Sequence, residues 1–436
     1  MVEHTDSLTR RPRRLLGLFE EAWRRQRRRR SQIALVAVSV LIACAALLRM
    51  GTSPSPKQIA SPVAAGPQLA SGGLPAAGHF ASLVRVGGHL IVTGGPGGWP
   101  LNAPGAVTRL AHGRATGRCT AAMIVPHTIR LERTQKANCG DPALYGAHVL
   151  PIMFLEPSRQ QLMIGVRIAV ADRRARDGYR LGPTVASYAQ CSDCGAQWIL
   201  GNHALWINVP LTHGYRGPGE VLRISTATGR VLQRFAMPQL VRALLAVNEN
   251  GLWIAPSIET GEPDTRVSRR VQRQYESLYL IVPGTSRARE ELYVGSGGVP
   301  WLAAAGQRVW LQEEPTGHFS RILTFTGAHP SRIRRGPRQR VGADWGTELG
   351  EGPVPFVASP TSGVDAVVAP NSDQQQIVNY NPTTLTEHVL ATLPRPGAQD
   401  ETTTTITDGD ALYFLDPRLT LASGTAPAQL YRFDTH

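Results

Sequence analysis

The chain has 436 residues, 42% hydrophobic and 18% charged, with 44 Gly, 33 Pro and five Cys. This composition excludes a collagen, a largely disordered chain and a disulfide-dependent miniprotein. The formal charge of +14 suggests a nucleic-acid partner only until it is divided: residues 1–31 hold ten Arg against Glu3, Asp6, Glu20 and Glu21, residues 49–81 add Arg49 and Lys57, and 34 bases face 28 acids over the rest. No nucleic-acid binding is therefore expected.

Residues 33–48, IALVAVSVLIACAALL, carry no charge and are apolar apart from Ser39. At ~1.5 Å per residue they make roughly 24 Å of helix, and Gln32 and Met50 extend the span while Arg30 and Arg49 reach toward the headgroups. The run RRQRRRR at 24–30 precedes it, and few charges follow. The positive-inside rule then predicts a single-pass protein of the cell membrane, with residues 1–31 cytoplasmic, a transmembrane helix over 32–50 and the remainder extracytoplasmic. Two rivals share the segment: a cleaved signal peptide, and a lipoprotein in which Leu41-Ile42-Ala43-Cys44 resembles a lipobox and Cys44 is lipidated. The basic region is long for a signal peptide and apolar residues continue past Cys44, so an uncleaved signal-anchor is the expectation. Leu15 to Phe19 with Trp23 could form an amphipathic helix on the inner leaflet, although a basic orientation signal suffices. Residues 51–80 are Gly, Pro, Ser, Ala or Thr at 21 of 30 positions and read as a flexible linker.

From residue 81 to 436 the pattern changes to short β-rich runs separated by Gly, Asn, Asp and Thr turns, with no long helical stripe. A hairpin unit is plain in LVRALLAVNENGLWIAPS at 240–257 and recurs at 82–95, 196–210, 300–314, 355–370 and 404–417, less regularly at 148–170. Further strands follow, as in EVLRISTATGRVLQRF at 220–235, SRILTFTGA at 320–328, QIVNYNPTTLTEHVLA at 376–391 and QLYRFD at 429–434. Spacings of roughly fifty residues suit seven units of four strands. Each unit alone would expose two apolar faces, and stacking in a closed ring buries them. The expected class is therefore all-β: a seven-bladed β-propeller preceded by one N-terminal transmembrane helix and a linker. Two β-sandwiches are the rival. The first unit opens on an inner hairpin and QLYRFD is a third strand, so the ring needs a closing strand from residues 57–80.

The ATGRVLQRF and NENGLWIAP rhythm resembles the repeats of the NHL, PQQ-like and virginiamycin-B-lyase-like propellers over residues 82–434. That resemblance implies the fold only, because such repeats serve enzymes and scaffolds alike. In the lyase-like enzymes a metal and a catalytic His occupy the centre of one face, and no residue here matches that motif.

Outside the anchor, Cys119, Cys139, Cys191 and Cys194 read as disulfides, paired Cys119 with Cys139 and Cys191 with Cys194; zinc and redox roles for the C-x-x-C pair are weaker readings. His203, His213 and His318 read as surface or strand-end residues, and Trp206, Trp253 and Trp310 as packing between units. Asp408-Gly409-Asp410 and Asn371-Ser372-Asp373 are turns before they are Ca²⁺ loops. Of the Arg clusters at 173–180, 266–273 and 332–340, the last, with Arg332, Arg334, Arg335, Arg338 and Arg340, is the candidate anion-contact loop, a solvated insertion being the blander account. No catalytic, metal or cofactor residue is assigned and no cofactor expected. The functional expectation is a non-catalytic interaction or ligand-binding module, partnered by membrane lipid and by an extracytoplasmic protein or wall polymer. The alternative is a lyase, hydrolase or quinoprotein-like dehydrogenase with its site at the axial funnel.

Overall fold

A computed structural model describes most of residues 70–434; residues 1–69, 74–78, 96–109, 157–162, 190–195, 212–216, 257–267, 314–318, 341–355, 395–403, 417–428 and 435–436, with runs of one to three residues elsewhere, lie outside the described residues. The anchor expected over 32–50 falls in that group, and among the described residues no helix is long and apolar enough to cross a membrane.

The strands assemble into successive antiparallel sheets. Sheet I comprises His79–Val86, His89–Gly95, Arg118–Val125 and Arg130–Asn138; sheet II has Val149–Glu156, Met163–Ala171 and Tyr179–Ala189. Sheet III runs Gln197–Gly201, Ala204–Pro210, Pro218–Ser225 and Val231–Pro238, and sheet IV Leu244–Asn248, Gly251–Ala255, Ser277–Ile281 and Arg289–Tyr293. Sheet V joins Leu302–Ala305, Arg308–Glu313, Phe319–Thr326 and Arg334–Arg335, with Gln339–Arg340 also on Phe319–Thr326. Sheet VI is Phe356–Ser359, Gly363–Asn371, Gln374–Tyr380 and Glu387–Pro394. Sheet VII takes Thr404–Asp408, Ala411–Asp416 and Gln429–Asp434 from the end of the chain and its outermost strand, Ala70–Gly73, from near the start. A two-stranded ribbon, Leu110–Ala111 with Arg114–Ala115, falls in the chain between the second and third strands of sheet I.

Burial explains the arrangement. The second strand of sheet III is buried at every position, as are the second and third strands of sheet IV, so both faces of these sheets need cover. The outer strand Val231–Pro238 instead alternates, as a strand with one wet face should. Seven apolar clusters each span two neighbouring sheets: VII with I, I with II, II with III, III with IV, IV with V, V with VI, and VI with VII. The sheets therefore pack radially and return on themselves, which is the β-propeller architecture. Trp206, Trp253 and Trp310 sit in three successive clusters with no exposed surface, each contributing on the order of 2–3 kcal/mol. Trp253 meets Phe325 edge-on across the IV–V interface, ring centroids 5.2 Å apart.

Hydrogen bonds stitch the outer rim. Gln233 of sheet III donates to Thr285 O at 3.2 Å, Arg289 of sheet IV to Ala328 O at 3.1 Å, and Arg334 of sheet V to Thr383 O, each from a fourth strand to the next sheet's outer turn.

Three features depart from the sequence reading. The segment 51–80 is not linker throughout, because Ala70–Gly73 and the first residues of His79–Val86 are strand; the first of these supplies the closing strand sought between 57 and 80. Sheet II shows three strands among the described residues, with the short 3-10 helix Pro142–Tyr145 packed beside it, because Leu144 and Tyr145 fill the I–II cluster. The arginine-rich stretch at 266–273 contains a helix, α1, Arg269–Gln274, started by Ser268, whose hydroxyl accepts from Val271 N–H.

Gly251 and Gly363 hold equivalent places, each opening the second strand of its sheet with φ of 138° and 98°. A Cβ at either would overlap the last carbonyl of the third strand, Ile281 O or Tyr380 O. Gly251→Ala and Gly363→Ala are each expected to lower stability by roughly 2–4 kcal/mol in denaturant titrations. Gly284→Ala, whose Cβ would meet open space but whose φ is 89°, should cost only about 1 kcal/mol. Equal losses at all three positions would contradict the packing account.

Candidate functional site

Three polar arrangements stand out among the described residues. The densest is the junction of α1 with sheet IV. Glu276, 5% exposed, accepts from Gln272 Nε2 at 2.6 Å and from the Tyr293 hydroxyl at 2.9 Å. Beside it Glu290 Oε1 accepts from Arg273 Nε at 2.6 Å and Ser277 Oγ at 3.1 Å. The Tyr279 hydroxyl donates to Gln274 O at 2.7 Å, and Gly217 N–H donates to the Tyr275 oxygen at 3.1 Å, tying α1 to sheet III. The tyrosines are held protonated: Tyr293 is pushed up by its bond to the Glu276 carboxylate, and Tyr279 by burial and then by Glu290. The Glu290 bond likewise holds the exposed Arg273 guanidinium cationic. Such a cluster is a hydrogen-bonded clamp, with both carboxylates occupied by donors of the same chain.

The second place is the rim of inner turns in sheets III to V. Asn202 Nδ2 donates to Asn248 O, Asn248 Nδ2 to Arg308 O at 3.4 Å, and Asn250 Nδ2 to Gln307 O at 3.4 Å. Asn248 Oδ1 accepts from Trp253 Nε1 at 3.1 Å, so the same amide fixes the core indole and the next sheet.

The third is a lone carboxylate. Asp365 stands in register with Asn379 on sheet VI, is 2% exposed, and accepts from Asn379 Nδ2 at 2.7 Å. Burial raises its pKa from 3.8 to about 6, and the Asn379 bond offsets part of the rise.

The residues singled out from sequence are scattered. Cys119 is buried, lies opposite Ala137 in sheet I and is disulfide-bonded; Cys44, Cys139, Cys191 and Cys194 lie outside the described residues. His203 is exposed in an inner turn at φ 54°, while His213 and His318 lie outside the described residues. Arg332, Arg335 and Arg338 are exposed on the outside of sheet V, Arg334 is bonded to Thr383 O, and Arg340 ends the short strand Gln339–Arg340. Asp408 and Asn371 end strands, their turn partners lying outside the described residues. The three Trp are buried and offer no ligand platform. Among the described residues, no group of three His, Cys, Asp or Glu could hold a metal ion.

Sequence reasoning missed the α1 junction and Asp365. The junction brings Glu276 and Glu290 together through a strand pairing. A signal for Asp365 was present, a single acid inside the apolar run GVDAVVAP.

No family model matches the chain, and no curated protein does. Among solved structures it is similar to the β-propeller domain of the trilobed protease from Pyrococcus furiosus, with 9% identity over 82% of this chain and 96% of that one, TM-score 0.42. It is also similar to the acylaminoacyl peptidase of Pyrococcus horikoshii, at 10% identity over 82% of this chain but 51% of that one, TM-score 0.44. The polysaccharide lyase Uly1 aligns at 8% identity over 84% and 91%, TM-score 0.42. At these identities and scores the likeness carries nothing about activity.

Because the folded pKa of Asp365 lies above the unfolded value, the native state binds the extra proton between them. Stability is therefore greatest below about pH 3.8 as far as this group is concerned, falls as pH rises toward about 6, and stays lowered above it. Asp365→Asn should remove that slope and raise stability at pH 7.5 by about 1–3 kcal/mol, measured as urea unfolding at pH 5 and 7.5. An unchanged slope in the variant would assign the titration elsewhere.

Proposed function

We propose that the chain is a single-pass membrane protein that displays a propeller of seven blades outside the cell as a non-catalytic interaction or ligand-binding module. The observation that supports this reading is the inner rim of sheets III to V, where Asn202, Asn248 and Asn250 spend their amides on backbone carbonyls of neighbouring sheets. An axial enzyme site would ask for titratable side chains converging there, and a rim of amides and backbone suits a rigid platform. The seven shared apolar clusters support the blade number. The repeat rhythm supports placing the propeller with the NHL, PQQ-like and virginiamycin-B-lyase-like group.

Anchoring rests on the uncharged run 33–48 behind the arginines of 24–30. The full chain is expected to stay in the membrane fraction after alkaline carbonate washing, and deletion of residues 32–50 to release it. Protease added to intact cells should degrade the propeller and spare the first thirty or so residues. Release of the full chain by carbonate, or a protected propeller, would rule the reading out.

An oxidising exterior also gives the cysteines their role. The pairing proposed is Cys119 with Cys139 and Cys191 with Cys194, supported for the first by Arg118 facing Asn138 in sheet I. Peptide mapping without reductant should recover a Cys119–Cys139 cross-link; Cys119 joined to Cys191 or Cys194 would reject the pairing.

A further inference from the structure

One repeat position breaks the pattern on which the ring is built. It lies two residues past the pair that closes the inner hairpin, and in sheets I, III, IV, V, VI and VII it holds Ile91, Trp206, Trp253, Trp310, Asp365 and Tyr413. All except Asp365 pack in the apolar cluster shared with the following sheet. The residue before each packs on the preceding sheet, as Leu252 and Val309 do. Side chains alternate along a strand, and Val364 packs in the V–VI cluster, so Asp365 faces sheet VII. Asn379, its partner in the ladder, lies on the same face.

The seam between sheets VI and VII is thus polar where the others carry an aromatic ring or an aliphatic chain. Across it, the register positions that hold Leu245 and Val247 in sheet IV hold Thr405 and Thr407 in sheet VII. Asp365 is 2% exposed and, among the described residues, has Asn379 Nδ2 as its donor. No fixed cation balances it. Residues 356–394 contain no Lys or Arg, and Arg432, the one such residue in the strands of sheet VII, donates to His127 O of sheet I. On sheet VI the other described ionisable groups are His388, in register with Asn379 one strand further out, and Glu387, bonded to the Tyr380 hydroxyl. Sheet VII adds Tyr431 in the VI–VII cluster, Tyr413 in the VII–I cluster, and Asp408, Asp416 and Asp434 at strand ends. A buried carboxylate so placed either keeps its proton or admits water.

We infer that the VI–VII interface is the seam at which the propeller opens, and that ionisation of Asp365 drives the opening. Neither the membrane anchor nor the platform reading is needed for it. With the seam shut, the ionised carboxylate is held out of water; parting of the two sheets returns it to solvent. The proton therefore closes the joint and its loss loosens it. Burial raises the pKa from 3.8 to about 6, so the shut seam is favoured below about pH 3.8, weakens as pH rises toward about 6 and stays weakened above it. Linkage of those two values makes opening about tenfold easier at pH 7.5 than at pH 5. The IV–V seam has Trp253 at the same position and carries no such response.

The test is backbone hydrogen exchange of the full chain at pH 5 and 7.5, each rate divided by the unfolded-chain rate at that pH. Gln374–Tyr380 and Ala411–Asp416 report the VI–VII seam; Gly251–Ala255 and Arg308–Glu313, in sheets IV and V, are the reference. Opening of the reporter strands should rise about tenfold between the two pH values, against less than about twofold in the reference, and Asp365→Asn should abolish the rise. Asp365→Leu, which restores an apolar side chain at the repeat position, should keep the reporters as protected at pH 7.5 as at pH 5. His388→Gln should leave the wild-type response intact; loss of the response there assigns the switch to His388 and overturns the inference. An equal rise in reporter and reference strands overturns it in favour of global unfolding, and reporters that do not respond in the wild type overturn it outright. The wild-type comparison decides even where a variant fails to fold.

Discussion

Each sheet of this protein carries apolar side chains on two faces, and a sheet of four short strands cannot keep both dry by itself. The cost of leaving Trp206, Trp253 and Trp310 in water would be several kcal/mol, comparable with the whole stability of a typical domain. Every sheet thus depends on its two neighbours, and a row of such sheets would leave two raw faces at its ends. Closure removes them. The VII–I cluster, where Leu415 and Leu430 pack with Leu90 and Val92, completes the circuit, and the four residues Ala70–Gly73 cover the outer edge of the last sheet.

Polar chemistry is subordinate to that constraint. The Asn residues of the inner turns and the Gln or Arg residues of the fourth strands make the same kind of bond at small and large radius, a side-chain donor to a neighbouring carbonyl. These bonds have direction, which the apolar clusters lack, so they set the register of one sheet on the next. Asp365 is the exception, a carboxylate buried on sheet VI with the Asn379 amide as its donor, and burial raises its pKa by more than that one bond lowers it. The α1 junction handles burial differently: Glu276 has two donors, and the tyrosine proton stays where it is useful as one.

Much of the architecture was legible because strand formation here is local. NENGLWIAP reads as a tight turn and a buried strand, and the structure has Asn248 ending one strand and Gly251 opening the next. The repeat spacing and the unpaired third strand QLYRFD pointed to an N-terminal closing strand. The α1 helix was not legible, since RRVQRQ has no apolar stripe and owes its form to the Ser268 cap and to Tyr275. Nor was the irregular sheet II, where the 3-10 turn around Leu144 and Tyr145 fills space by shape.

By itself, the sequence determined that the chain is mostly β, that its units repeat and that its charge is divided between an N-terminal block and a nearly balanced remainder. These follow from side-chain periodicity, turn chemistry and composition, all local or additive. Tertiary structure alone decided the register in which strands meet and which carboxylates were buried. The repeat pattern called for a closing strand from residues 57–80, but that Ala70 meets Arg432 across more than three hundred and sixty positions follows only from the assembled sheets, because register at that range has no local signal.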